Sequence, residues 1–193
     1  FIRYVSDGSP NSLRGTSIRA ICGGPNNEIW TGSEEGFLCR FNPEERSFTN
    51  FSFRAGVPYG SAITDIGLFD EMLWISTFGN GVYVFDPAKN TRVKHYDIPS
   101  RKCMSIYKTS TEDIYVGTYN GLFRYDKEKD SFEIIDILGD VFIHDIYEDS
   151  NARLWICSYG KGLSFIDLAT SEYHPINKGI NGNELDAQNI INI

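Results

Sequence analysis

"DIYVGTYNGLFRYDKEKDSFEII", Asp113 to Ile135, reads as three short strands joined by two turns. β-Branched and aromatic residues fill the runs, and Asn, Gly, Asp and Lys fill the joints. The chain repeats this pattern four times. "NEIWTGSEEGFLCRFNPEERSFTNF" from Asn27, "EMLWISTFGNGVYVFDPAKNTRVKHY" from Glu71 and "ARLWICSYGKGLSFIDLATSEYHPI" from Ala152 align with it on the aromatic anchors Trp30, Trp74, Tyr115 and Trp155. The anchors lie 44, 41 and 40 residues apart (74−30, 115−74, 155−115). A period in that range marks a stacked array of repeats.

Each repeat opens with a further apolar run: Ile18-x-x-Ile21, Ile63-x-x-Ile66, Cys103-x-x-Ile106 and Ile143-x-x-Ile146. That makes four short strands per unit, and four-stranded antiparallel units at this period are propeller blades. Apolar residues at helical spacing are missing, which disfavours α-solenoids of similar period. Gly36, Gly81, Gly121 and Gly162 each open a third strand after a tight connection, where only glycine takes positive φ cheaply. "GNG" at Gly79–Gly81 and "GKG" at Gly160–Gly162 join two strands and precede no helix, so neither reads as a phosphate loop.

The fold class is therefore all-β, a β-propeller, with blades over 17–53, 62–98, 102–137 and 142–178. "FIRYV" at the start resembles a final strand, making 1–16 the last strand of a preceding blade and its linker; "NIINI" makes 185–193 a first strand. The linker spacing also recurs: Tyr4, Leu13 and Ile18 match Ile176, Leu185 and Ile190. Sixteen strands flanked by one at each end do not divide into four-stranded blades, so the expectation is a piece of a larger propeller. Blades bury apolar faces on both sides. The predicted partners are thus remaining blades or self-association, and Trp74 and Trp155 are expected to lie buried between sheets.

Composition narrows the function. The 193 residues carry a formal charge of −8, which repels a phosphate backbone, so nucleic acid is not expected as a partner. No apolar run approaches the roughly 20 residues of a membrane helix, so this segment is not expected to be membrane-embedded. Cys22, Cys39, Cys103 and Cys157 form no C-x-x-C pair and read as buried free thiols. No cofactor or metal site is expected.

Four motifs in register resemble the two-component regulator propeller repeat. Its strand of the type L-W-I-G-T followed by G-L-x-R-F-D-P is matched by "IWTGS…GFLCRFNP", "LWISTFGNGVYVFDP", "IYVGTYNGLFRYD" and "LWICSYGKGLSFID", and its p-N-S-L linker by "SPNSLRGTSI". Tyr115 in place of Trp, Ser76 and Cys157 in place of Gly, and no Pro after Asp126 or Asp167 are departures. The resemblance covers essentially the whole chain. It implies a seven-bladed propeller in the periplasmic sensor region of a hybrid histidine kinase, with oligosaccharides as common signals.

Among candidate chemical groups, His95 and His174 fall in final strands, where a half-exposed polar residue is ordinary. His144 lies in a first strand, which lines a propeller's central channel. Its neighbour Asp145 points to the opposite face of the strand, so the two form no dyad. Asp65 and Asp145 occupy equivalent positions, with Ser105 between them in the third repeat, and such equivalence favours structural hydrogen bonds over a carboxylate pair. No catalytic residue is nominated. For ligand binding, the turn between second and third strands carries Phe78, Tyr119 and Tyr159 at one aligned position, with Glu34 in the first repeat; Tyr59 and Asn120 are helpers. Flat rings beside amide and hydroxyl groups suit a sugar. The alternative role for these rings is packing blade against blade. The alternative functions are a glycan lyase or hydrolase and an extracellular protein-binding scaffold.

Overall fold

The computed structural model describes residues 2–53 and 62–176. It contains four antiparallel sheets, each with its strands in chain order. The first comprises β1 (Ile18–Gly23), β2 (Ile29–Ser33), β3 (Phe37–Asn42) and β4 (Ser47–Ser52); the second β5 (Ala62–Phe69), β6 (Met72–Phe78), β7 (Gly81–Asp86) and β8 (Thr91–Tyr96). The third comprises β9 (Cys103–Lys108), β10 (Ile114–Thr118), β11 (Gly121–Asp126) and β12 (Ser131–Ile135); the fourth β13 (Phe142–Glu148), β14 (Arg153–Tyr159), β15 (Gly162–Asp167) and β16 (Tyr173–Pro175). These are propeller blades, and the fold is all-β as the repeat predicts. Two compact units, Phe1–Cys103 and Met104–Ile193, divide the chain.

The same side-chain devices recur at every turn. Between second and third strands, the hydroxyls of Thr77, Thr118 and Ser158 donate to the carbonyls of Gly81, Gly121 and Gly162 at 2.8, 2.9 and 3.1 Å, while Ser33 Oγ accepts from the Phe37 N–H. The glycines that follow take φ of +68 to +104°. At Gly81 a side chain is excluded outright, because a Cβ would sit 2.2 Å from the Tyr96 carbonyl oxygen. Between third and fourth strands, Asn42, Asp86, Asp126 and Asp167 each accept the backbone N–H groups two and three residues on, at 2.9–3.2 Å. Each such loop closes on a left-handed residue, Arg46, Asn90, Asp130 or Ser171, with φ between 52 and 60°. The Asp or Asn of the repeat is thus a turn former.

Strand β-bulges explain the i, i+3 spacing of the opening apolar runs. In a regular strand, residues three apart face opposite sides. The β5–β6 and β13–β14 ladders slip between Ile63 and Asp65 and between Ile143 and Asp145, and β1–β2 slips between Ile18 and Ala20. The extra residue lets Ile63 and Ile66, and likewise Ile143 and Ile146, enter one core. Asp65 and Asp145 then each accept the N–H of the next residue, Ile66 at 2.8 Å and Ile146 at 2.9 Å.

In the first unit, Ala20, Trp30 and Leu38 of the first sheet pack against Ile63, Ile66, Leu73, Ile75, Tyr83 and Phe85 of the second. The approach depends on Gly32, where a Cβ would lie 2.2 Å from Ile63 Cγ2. The corresponding place on β6 is Ser76, and there the first-strand Ile is replaced by Cys103. Thr64 hydroxyl joins the two, 2.9 Å from Ser76 Oγ and donating to the Cys103 carbonyl at 2.9 Å. In the second unit, Gly117 meets Ile143 in the same manner, with a Cβ position 2.6 Å from Ile143 Cγ2, inside a core of Tyr115, Leu122, Ile146, Leu154 and Ile156. All four cysteines are free; Cys39, Cys103 and Cys157 are buried, and burial pushes the Cys103 and Cys157 thiols up to about 12.

The "SPNSL" linker is fastened to the first blade. Asn50 donates to the carbonyls of Pro10 and Ser12, and the Phe48 N–H to that of Asn11. Glu35 accepts both the N–H and the hydroxyl of Thr16, at 2.9 and 2.8 Å. Burial pushes its carboxyl up, but these bonds outweigh burial and hold it at about 2.

Residues 2–5, read as the last strand of a preceding blade, pair with none of the described strands, and Tyr4 rests on Phe41 and Phe48. One expectation is corrected. Trp155, expected to be buried, is half-buried. Its ring leans on Phe165 of its own sheet and its indole N–H donates to Asp149. The predicted strand 185–193 lies outside the described residues. Trp30 is fully buried and Trp74 is 9% exposed. Single-tryptophan variants retaining Trp30 or Trp74 therefore emit blue-shifted and resist iodide, while Trp155 is quenched more readily. Trp30→Ala lowers unfolding stability by about 3–5 kcal/mol. Ready quenching of both Trp30 and Trp74 contradicts the blade register.

Candidate functional site

The turn from β10 to β11 is built to present two residues. Thr118 Oγ1 holds the Gly121 carbonyl and accepts the Asn120 N–H at 3.1 Å, which leaves Tyr119 and Asn120 at the tip. Tyr119 stacks on Phe142, the first residue of β13, with ring centroids 3.9 Å apart and planes 29° apart. Phe142 pairs across the sheet with Tyr159, whose ring centre is 6.4 Å away. Three rings thus line up in the second unit. Tyr159 is the most open of them at 58% exposed, and Asn120 is also exposed. Lys161 steadies the neighbouring turn by donating to the Leu138 carbonyl at 2.8 Å.

Of the five residues that the sequence nominates, the structure brings together Tyr119, Asn120 and Tyr159. Phe78 belongs to the first unit, at the end of β6. There it bridges to Lys102, whose ammonium lies 5.5 Å from its ring centre. Tyr59 lies outside the described residues. Phe78 and Tyr119 share one rule: each packs on the residue just ahead of the next first-strand apolar position, Lys102 before Cys103 and Phe142 before Ile143. Phe142 itself escaped sequence reading. A regular register counted from the Tyr147–Trp155 pair would set Ile143 opposite Tyr159, and the slip between Ile143 and Asp145 puts Phe142 there instead.

His144 sits beside the row, its ring 4.1 Å from that of Phe142. Burial lowers its pKa, against an opposing pull from the Asp145 charge. Asp145 is engaged with the Ile146 N–H. Among the described residues no cluster of three His, Cys, Asp or Glu side chains has the spacing to hold a metal ion. Ring faces, tyrosine hydroxyls and an amide are groups for non-covalent recognition of a ligand with one apolar and one hydroxylated side.

The chain matches no family model and no curated protein. Solved structures do resemble it. The extracellular domain assigned to a hybrid two-component system of B. thetaiotaomicron superposes with a TM-score of 0.81 over 96% of this chain, at 20% identity. The chain shares its propeller fold. A second extracellular domain from the same organism, assigned to a one-component system, gives a TM-score of 0.71 over 90% at 21% identity. PorZ, a surface component of the type-IX secretion system of Porphyromonas gingivalis, gives 0.69 over 98% at 14%. The chain spans 25%, 23% and 31% of the lengths of these three proteins. No helix among the described residues is long and apolar enough to cross a membrane.

The ring contacts separate two roles. Tyr119→Ala loses the stack on Phe142 and lowers stability by about 1–3 kcal/mol. Tyr159→Ala, at an open position, changes stability by less than about 0.5 kcal/mol. Urea denaturation of both variants is the check, and equal losses contradict the arrangement.

Proposed function

We propose that the chain is part of the periplasmic sensor region of a two-component signalling protein, with no catalysis of its own and with a histidine kinase as the output of the whole protein. The observation that carries this reading is the 0.81 superposition on the extracellular domain of a hybrid two-component system. The four repeat motifs point the same way.

The ligand in this reading is an oligosaccharide, held on the row formed by Tyr119 and Tyr159 with Asn120 supplying hydrogen bonds; Phe78 and Tyr59 complete the nominated set. Phe142 supports the row from behind. Tyr119 gives a ring face to Phe142, whereas Tyr159 is a platform open to solvent. The propeller also takes a further sheet as partner, from remaining blades or from a second copy. Ile18, Ile21 and Ile29 are 40%, 71% and 38% exposed. Their counterparts one repeat on, Ile63, Ile66 and Leu73, are buried against a neighbouring sheet.

Titration calorimetry of the intact sensor region with a panel of neutral and acidic oligosaccharides tests the reading. Tyr159→Ala is expected to weaken binding of a recognised sugar by tenfold or more while the protein stays folded. Unchanged affinity in folded Tyr159→Ala and Tyr119→Ala removes this row from the binding site. Failure of every saccharide to bind removes the class of ligand.

A further inference from the structure

The slips in the first-strand ladders single out one residue each. β1 slips across Arg19, β5 across Thr64 and β13 across His144, so each is the extra residue of a bulge, with no partner opposite it in the second strand. A bulge re-aims the side chain it carries, which is why bulges recur beside binding sites. Two of the three side chains are spent within the protein. Arg19 lies 3.7 Å from Glu34, and the Thr64 hydroxyl meets Ser76 Oγ and the Cys103 carbonyl. The ring nitrogens of His144 have no hydrogen-bond partner among the described residues.

The ring is nonetheless fixed in place. Its centroid lies 4.1 Å from that of Phe142 with planes 32° apart, and Tyr119 lies 3.9 Å from the same ring at 29°. Two rings so close and so nearly parallel do not fit on one face of a third, so Phe142 is held between Tyr119 and His144. His144 is half-buried at one end of this stack, and the open ring of Tyr159 stands opposite Phe142 in the β13–β14 ladder. A polar ring that is locked by packing, with its hydrogen-bonding edge unspent, is prepared for a partner from outside the protein. Small-ligand sites carry such placed polar groups among their rings.

We infer that His144 is a further ligand-binding and specificity-determining residue of the ring row, accepting a hydroxyl hydrogen bond from the saccharide while the imidazole is neutral. The inference rests on the sensing reading and adds to it the group that orients the sugar. Protonation then controls affinity, because a neutral imidazole has one acceptor and one donor, whereas imidazolium has two donors and no acceptor. Burial already lowers the ring's pKa, with Asp145 pulling the other way. A sugar that covers the ring removes more water and favours the neutral form further. Affinity for an uncharged sugar is therefore full above the pKa of the free protein and falls as pH drops through it. The other charged and titratable side chains on the surrounding elements are Asp140, Tyr119, Tyr159 and Lys161, the last engaged with the Leu138 carbonyl.

The test is calorimetry of the intact sensor region with cellotriose, mannotriose and galactotriose between about pH 8 and about pH 5, the interval in which histidine titrates. The tightest binder of the three is expected to lose severalfold in affinity across that interval. At saturation it is expected to lower the His144 pKa read from imidazole proton shifts, a measurement that needs no substitution. His144→Phe keeps a ring on Phe142 but no nitrogen, and is expected to bind tenfold or more weakly at the upper pH. His144→Gln keeps a neutral donor and acceptor, and is expected to stay within threefold of the unsubstituted protein while losing the pH dependence. Urea denaturation verifies that both variants fold. Affinity unmoved by pH and by both variants, while Tyr159→Ala still weakens binding, overturns the role of His144 and leaves the row in place. So does a pH dependence that survives in His144→Gln. Binding that Tyr119→Ala and Tyr159→Ala leave unchanged, or no saccharide bound, overturns both.

Discussion

The close approach of one strand's β-branched side chain to a neighbouring strand that lacks a side chain is the constraint on which the rest of the structure depends. Ile63 against Gly32 and Ile143 against Gly117 are the two clear cases. Flat sheets stack about 10 Å apart when side chains interdigitate. Here each second strand instead yields space at one position, and the first strand of the next blade fills it. Ser76 stands at the corresponding place on β6, where the Thr64 hydroxyl links its Oγ to the Cys103 carbonyl. The bulges in β5 and β13 serve this contact, because without the extra residue only one of each isoleucine pair could face the core.

Once the sheets are locked, their turns become rigid mounts. A hydroxyl three residues beyond each anchor, a glycine at positive φ and an Asp or Asn at the end of each third strand give every hairpin a fixed shape. Function is then a matter of which side chains the mounts carry. At Tyr119 the mount holds a ring already half engaged with the next blade, and at Tyr159 one that is open. Variation at these positions alters recognition without touching the contacts that hold the blades together.

Much of this was legible in the sequence. The period, the four strands per repeat, the positive-φ glycines and the structural use of Asp65 and Asp145 follow from local chemistry that each repeat states independently. Contacts between repeats were harder to read. Phe142 was hidden because its partner Tyr119 lies 23 residues away (142−119) on another sheet. The Tyr83–His95 stack was hidden because it depends on which residues the β7–β8 register sets opposite each other. Trp155 was misjudged because aromatic identity marks a position in the blade but not whether another sheet covers it.

The account stands on the coupling between Gly32 and Ile63, and a double-mutant cycle at that pair is its most direct test. Gly32→Ser is expected to destabilise by about 1–3 kcal/mol through overpacking, and Ile63→Cys by a similar amount through lost contact. Combined, they reproduce the Ser76 and Cys103 arrangement of the next contact, so the double variant is expected to recover at least about 1 kcal/mol relative to the sum. Additivity within about 0.5 kcal/mol would show that the two residues do not share one space, and would contradict the packing rule from which the rest of the structure is derived.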